Sequence, residues 1–234
     1  MLLAAVVKGA IGFGFPTLGT PLLALVVDVK AAVVLLILPN IVMDALQATR
    51  RGDLRATLRR WAWLVAFGAV GTIVGTRLLA VLSARTTTII LGATVVGFVL
   101  LNVTRWTPRV RAGHERWLDP VVGFVAGVIG GVTNVPGTPL VMYFVALGLA
   151  KHDFVRAVAV TFVLYKLVQL GAVTWYGLLS WPLFGLSAVL AVVALAGFRL
   201  GLAIQDRLDQ RAFNRLVLVF LGVLGAGLIV RTVF

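Results

Sequence analysis

The chain has no cysteine among its 234 residues. Disulfides, iron–sulfur clusters and thiol chemistry are therefore excluded. Acidic residues are scarce, eight Asp and Glu against 21 Lys and Arg, and charged residues make up only 12% of the total. Soluble domains carry about a quarter charged residues. The two histidines, His114 and His152, share no metal-ligand spacing, so no metal site is expected. There is no HExxH helix, no P-loop and no Gly-x-Ser-x-Gly elbow. The chain is read as no enzyme, and ATP is not its direct energy source. The N-terminus lacks a basic region and Lys8 interrupts its apolar run, which does not fit a signal peptide.

Apolar residues fill the space: 61% of the chain is hydrophobic, with mean hydropathy +1.07. This is the composition of an integral membrane protein with several spans. The formal charge of +13 would suggest nucleic acid in a soluble chain. Here the basic residues lie between apolar segments, where they act as topogenic charge facing anionic lipid. No soluble domain exists to carry phosphate contacts, so no nucleic-acid partner is expected.

Eight apolar segments are legible, at about 2–27, 31–48, 61–82, 86–104, 119–148, 157–176, 181–204 and 213–231. Segments two to four and six to eight are long enough to cross a hydrocarbon core as helix. Gly-Thr-Pro-Leu occurs at 19–22 and again at 137–140, a shift of 118. The same shift superimposes Gly9, Ile11 and Gly12 on Gly127, Ile129 and Gly130. A shift of 122 pairs Gln47 with Gln169, Asp44 with Lys166, and Gly75 with Gly197. The chain divides into a membrane repeat 1–104, a basic polar linker 105–118 and a second repeat 119–234. Each repeat is one broken element followed by three helices.

The breaks come from glycine and proline. Proline removes an N–H and clashes with the preceding turn, and interior glycine costs about 1 kcal/mol relative to alanine. Segment one carries Gly9, Gly12, Gly14, Pro16, Gly19 and Pro21. Segment five carries Gly127, Gly130, Gly131, Pro136, Gly137 and Pro139. Each is expected to form two half-helices around an opened turn. If all eight segments cross, Lys and Arg in the loops divide ten to seven; if segments one and five are re-entrant, they divide 14 to 3. The positive-inside rule selects the re-entrant reading. The predicted fold is an all-α polytopic membrane protein of two inverted repeats, with both termini outward. Trp61, Trp63, Trp106 and Trp117 fall near the basic side and Trp175 and Trp181 at the other, as aromatic belts require.

A helix opened inside lipid must line a cavity or be satisfied by protein. Half-helix N-termini present free N–H groups and a positive dipole end, which suits an anion. Thr17, Thr20, Thr133, Asn134 and Thr138 add neutral donors, framed by Gly12, Gly19, Pro21, Gly130, Gly137 and Pro139. The bland alternative is close helix packing through small residues. Asp44 and Lys166 lie inside segments at repeat-equivalent places. Either they neutralise each other, or Lys166 complements an anion while Asp44 takes a coupling proton. Gln47 and Gln169 share their helical faces, as pore-lining or interhelical hydrogen-bond groups. Lys8 is within reach of the same cavity, and Arg77 and Arg199 are read as snorkelling to the interface. No second buried carboxylate is expected.

The stretch Gly130-Gly131-Val132-Thr133-Asn134-Val135-Pro136-Gly137-Thr138-Pro139-Leu140, followed by Lys151 and Phe154-Val155-Arg156-Ala157, resembles the second-half signature of the TauE/SafE family of sulfite exporters. Residues 9–25 resemble the matching first-half element, though Phe13 and Phe15 stand where the family has a denser glycine run. The resemblance implies an inner (plasma) membrane carrier of bacterial type, multi-pass, for small anions such as sulfite and organosulfonates. It implies no organic cofactor. The expected partners are a small anionic substrate and the lipid bilayer, and a homo-oligomer is compatible with them. The expected function is a secondary transporter, an exporter of a small oxyanion by alternating access. An anion channel and a non-transporting scaffold subunit are the alternatives.

Overall fold

A computed structural model describes residues 1–50, 52–103, 110, 115–209 and 211–212; the side chains of 98–103 and of Thr138 lie outside that description. The eighth apolar segment, at 213–231, and Trp106 also lie outside it. Among the described residues every regular element is a helix.

Segment one is broken as its glycines demand. Helix α1 (Leu2–Ile11) ends at Gly12 and α2 (Phe15–Leu23) begins after Gly14, with φ of 89° and 99° at the two glycines. Only glycine enters that region without a steric penalty. Segment five breaks similarly, between α8 (Glu115–Thr133) and α9 (Gly137–Ala146), around Asn134 at φ 67°. The two breaks differ in register. Under the 118 shift, Gly137 corresponds to Gly19, yet α2 has already restarted at Phe15. Gly19, Thr20 and Pro21 are therefore inside α2, and Gly130 is inside α8, contrary to the sequence reading that placed all four at opened turns. The paired glycines 12 and 14 let the first chain turn one helical turn earlier.

The next segment is α3 (Val29–Leu35) and α4 (Ile37–Thr49), one 21-residue span with a hitch at Leu36. Pro39 explains the hitch, because it lacks the N–H that would bond the Leu35 carbonyl. Ser187 Oγ donates to that carbonyl instead, at 2.7 Å. A short helix, α5 (Leu54–Arg60), follows; the Asp53 carboxylate caps it by accepting from the Arg55 and Ala56 amides. Helices α6 (Ala62–Val81), α7 (Ala84–Val103), α10 (Lys151–Trp175) and α11 (Trp181–Arg207) complete the described fold. Among the described residues four stretches are long and apolar enough to cross a membrane: Val29–Thr49, Ala62–Val81, Lys151–Trp175 and Trp181–Arg207.

Two seams of small residues bind the helices. A Cβ on Gly123 would lie 3.0 Å from the Leu64 carbonyl carbon, and one on Gly131 only 2.7 Å from the Thr76 amide. Helices α8 and α6 therefore run parallel at nearly backbone contact. The α1–α11 seam has the same geometry: a Cβ on Gly197 would lie 2.6 Å from the Leu2 carbonyl, and one on Gly9 2.8 Å from the Leu202 amide. Gly71 meets the Phe124 carbonyl where Gly201 meets the Val6 carbonyl. The seam thus pairs positions 71 and 201; Gly75 meets the Val128 carbonyl and Gly197 the Leu2 carbonyl, which do not correspond under the 118 shift.

Both broken segments are hairpins. At the far end of α9, Tyr143 donates to Asp119 near the start of α8 at 2.7 Å, and the Val110 amide bonds the Ala146 carbonyl at 3.2 Å. In the first half Met1 Sδ lies 3.6 Å from the Cβ position of Gly19, on the returning helix. The basic loops gather at one end. Arg50 pairs with Asp206, Lys151 donates to the Gln205 carbonyl at 2.6 Å, and Arg156 donates to Thr57 at 2.8 Å. Arg60 faces Glu115 at 3.8 Å. At the opposite end Lys30 bonds the Ala80 carbonyl, and Trp175 and Trp181 are each 86% exposed. Trp63 and Trp117 are exposed at the basic end, but Trp61 is buried against Tyr143 and Phe144 and forms no part of a belt.

Candidate functional site

The tips of the two hairpins meet beside α4 and α10. In the second half, Asn134 needs its left-handed φ to end α8, and asparagine tolerates that conformation. Its amide nitrogen donates to Thr20 Oγ1 on the other hairpin at 3.5 Å. Its Oδ1 accepts from Lys166 of α10. Gln169, one turn on, accepts from the same ammonium at 2.5 Å. The Gln169 NH₂ group is held by the Gly130 and Gly131 carbonyls at 3.3 and 3.1 Å. Both amides therefore turn their oxygens toward Lys166. Thr133 is occupied locally, donating to the Ile129 carbonyl and accepting from the Val135 amide. Thr17 is buried with Oγ1 4.0 Å from the Cβ position of Gly137, so the two half-helix starts face each other.

In the first half the ion pair differs from the one the repeat suggested. Asp44 Oδ1 accepts from Lys8 at 2.5 Å, and both side chains are fully buried. The Lys8 ammonium also lies 3.5 Å from the Gly12 carbonyl and 5.5 Å from the centre of the Phe162 ring. Asp44 and Lys166 are not hydrogen-bonded to each other: Asp44 accepts from Lys8, and Lys166 donates to Asn134 and Gln169. Lys8 was visible in the sequence as a charge within an apolar run; its partner 36 residues away was not.

Helix α4 carries more than Asp44. Asn40, Asp44 and Gln47 follow at spacings of four and three, one face of a helix. All three are buried. Asn40 Oδ1, Asp44 Oδ2 and both polar atoms of the Gln47 amide have no hydrogen-bond partner among the described residues. An unmet buried polar atom costs about 1–3 kcal/mol. Gln47 reaches a small cleft at the basic end, shared with Arg50, His152 and Gln205. A larger cleft of about 190 Å³ at the same end is lined by Thr57, Arg60, Trp61, Leu149, Asp153 and Arg156. Asn40 was missed in the sequence although its spacing to Asp44 and Gln47 was readable. Asp119 is a second buried carboxylate, at the base of the second hairpin, and corrects the expectation of none. Pro21 and Pro139 are half-buried within or at the start of their half-helices, and the Thr138 side chain lies outside the described residues. Arg77 and Arg199 are exposed on the outer face, as snorkelling requires.

The family model for sulfite exporter TauE/SafE matches residues 1–228. The chain belongs to the sulfite exporter TauE/SafE family. The family's description is that of a membrane exporter. No curated protein and no solved structure matches the chain. Among the described residues no group of three His, Cys, Asp or Glu could hold a metal ion.

Proposed function

We propose that the protein is a secondary transporter exporting a small anion, such as sulfite, an organosulfonate or a related oxyanion, by alternating access. One observation carries this reading: Lys166, 1% exposed, is held between the hairpin tips by two neutral amide oxygens and forms no ion pair among the described residues. A buried cation lacking a carboxylate partner calls for an anion. Thr17, Thr20 and Asn134 border the same point, and Gly12, Gly130 and Gly137 let the backbone come close. The α2 and α9 N-termini aim their dipoles there. Asp44, Gln47 and Asn40 then mark the route to the basic end.

The inverted-repeat arrangement supports the carrier form of this reading. The α1–α11 and α6–α8 seams make equivalent contacts 118 and 130 residues apart. Hairpins whose two ends lie together would enter and leave the membrane on one side, the first from outside and the second from inside. The basic end then faces the cytoplasm of a bacterial-type inner membrane. With the inside negative, exit of a monovalent anion is favoured by about 2.3 kcal/mol per 100 mV.

The direct test is thermal stabilisation of purified protein by a panel of sulfur oxyanions, sulfonates and carboxylates. A ligand at a hundred times its Kd adds about 2.7 kcal/mol of stability. Stabilisation by one chemical class, lost in Lys166→Met, supports the site. Equal melting throughout the panel removes it.

A further inference from the structure

The buried charges at the hairpin tips number three among the described residues: Lys8, Asp44 and Lys166. Lys8 and Asp44 cancel in their ion pair. Lys166 has only amide oxygens, whose dipoles orient its charge without cancelling it. With Lys166 protonated, the site holds one uncompensated positive charge. Leaving any buried ion uncompensated costs several kcal/mol. We infer that the site accepts cargo of one net negative charge: a monoanion alone, or a dianion accompanied by one proton that Asp44 binds. This inference rests on the anion-carrier reading above and assigns the charge of its substrate.

The geometry supplies both cases. A monoanion beside Lys166 neutralises the cluster and leaves the Lys8–Asp44 pair intact. A dianion exceeds the charge of Lys166 by one. Neutrality returns when Asp44 Oδ2 forms an O–H bond with a proton from water and Lys8 turns to the dianion. Two ammonium charges then face two anionic charges. Asp44 Oδ2 is free for this, being buried without a hydrogen-bond partner. Gln47, one turn away, lines the small cleft at the basic end and marks the proton's path.

The other charged groups on neighbouring helices are engaged elsewhere. Lys8 and Lys166 are the cations whose fields reach Asp44. On α3, Lys30 bonds Ala80 at the opposite end. On α10, Lys151 and Arg156 bond groups of the basic end, where Asp153 pairs with Arg156 and His152 lines the small cleft. On α11, Asp206 pairs with Arg50, and Arg199 and Arg207 are exposed.

The experiment measures protons taken up from a weakly buffered solution as purified protein binds anions. The probes are methanesulfonate, always singly charged near neutral pH, and sulfate and alkaline sulfite, both doubly charged. The expected result is no proton per bound methanesulfonate and one per bound dianion. Asp44→Asn should bind the dianion with no proton uptake. If that variant does not fold, the comparison of probes on the native protein decides alone. Dianion binding without proton uptake, or methanesulfonate binding with it, overturns the charge rule and leaves the carrier reading standing. Failure of every probe to bind overturns the anion site itself.

Discussion

Replacing Lys166 with methionine removes the buried ammonium at the hairpin tips, which is held by amide oxygens. Methionine matches the length of the side chain and keeps the helix. An anion about 4 Å from the ammonium, at an effective dielectric constant of about 20, is attracted by about 4 kcal/mol. Each 1.4 kcal/mol is about tenfold in affinity, so binding should weaken by about three orders of magnitude. The variant also leaves Asn134 Oδ1 and Gln169 Oε1 without their donor. Each orphaned oxygen costs about 1–3 kcal/mol, so the melting temperature should fall as well. The assay is sulfite flux in proteoliposomes made from protein that elutes as a single sharp species, with the native protein and Lys166→Arg alongside. The arginine variant keeps the charge and should retain part of the flux. If the methionine variant transports sulfite within about threefold of native, Lys166 does not hold the anion and the electrostatic reasoning fails.

Three further outcomes follow from the packing. Lys8→Met strands Asp44 without a counter-charge and should cost about 3–5 kcal/mol, while adding Asp44→Leu should recover most of it. Thermal unfolding of the two variants in detergent checks this, and equal melting points would contradict it. Ser187→Ala should destabilise by about 1–3 kcal/mol because it orphans the Leu35 carbonyl. The loss should shrink in a Pro39→Ala background, where residue 39 regains an N–H for that carbonyl. Because the chain lacks cysteine, single substitutions report topology cleanly. Glu115→Cys and His152→Cys should react with an impermeant thiol reagent from the cytoplasmic face and Gly177→Cys from the other. Labelling of Glu115→Cys and His152→Cys from opposite faces would show that α8 and α9 together cross the membrane.

Sequence patterning revealed the elements better than their partners. Glycine and proline act locally, so the breaks near Gly12 and Asn134 were readable from residue type alone. The uneven distribution of Lys and Arg was also local, and it anticipated which loops gather at one end. The Lys8–Asp44 pair was illegible because it joins residues of different helices, and internal repetition pointed to Lys166 instead. Internal symmetry also misled at the seams. The 122 shift that pairs Gly75 with Gly197 suggested one register, whereas Gly71 and Gly201 are the glycines that meet corresponding carbonyls, those of Phe124 and Val6. The candidate anion site was legible at Thr20, Asn134, Lys166 and Gln169, whose polarity is conspicuous in apolar surroundings. Asp119 escaped because it stands where the apolar segment begins.

The α1–α11 seam has a consequence for biogenesis. During synthesis the first helix emerges without its neighbour, since the groove that receives Gly9 belongs to a helix more than 180 residues downstream. Its mate in the other seam, α8, finds α6 already made. The chain therefore closes like a ring, its opening turn waiting for its late one, and a ribosome halted before Trp181 would display an N-terminal hairpin with an unclaimed glycine face.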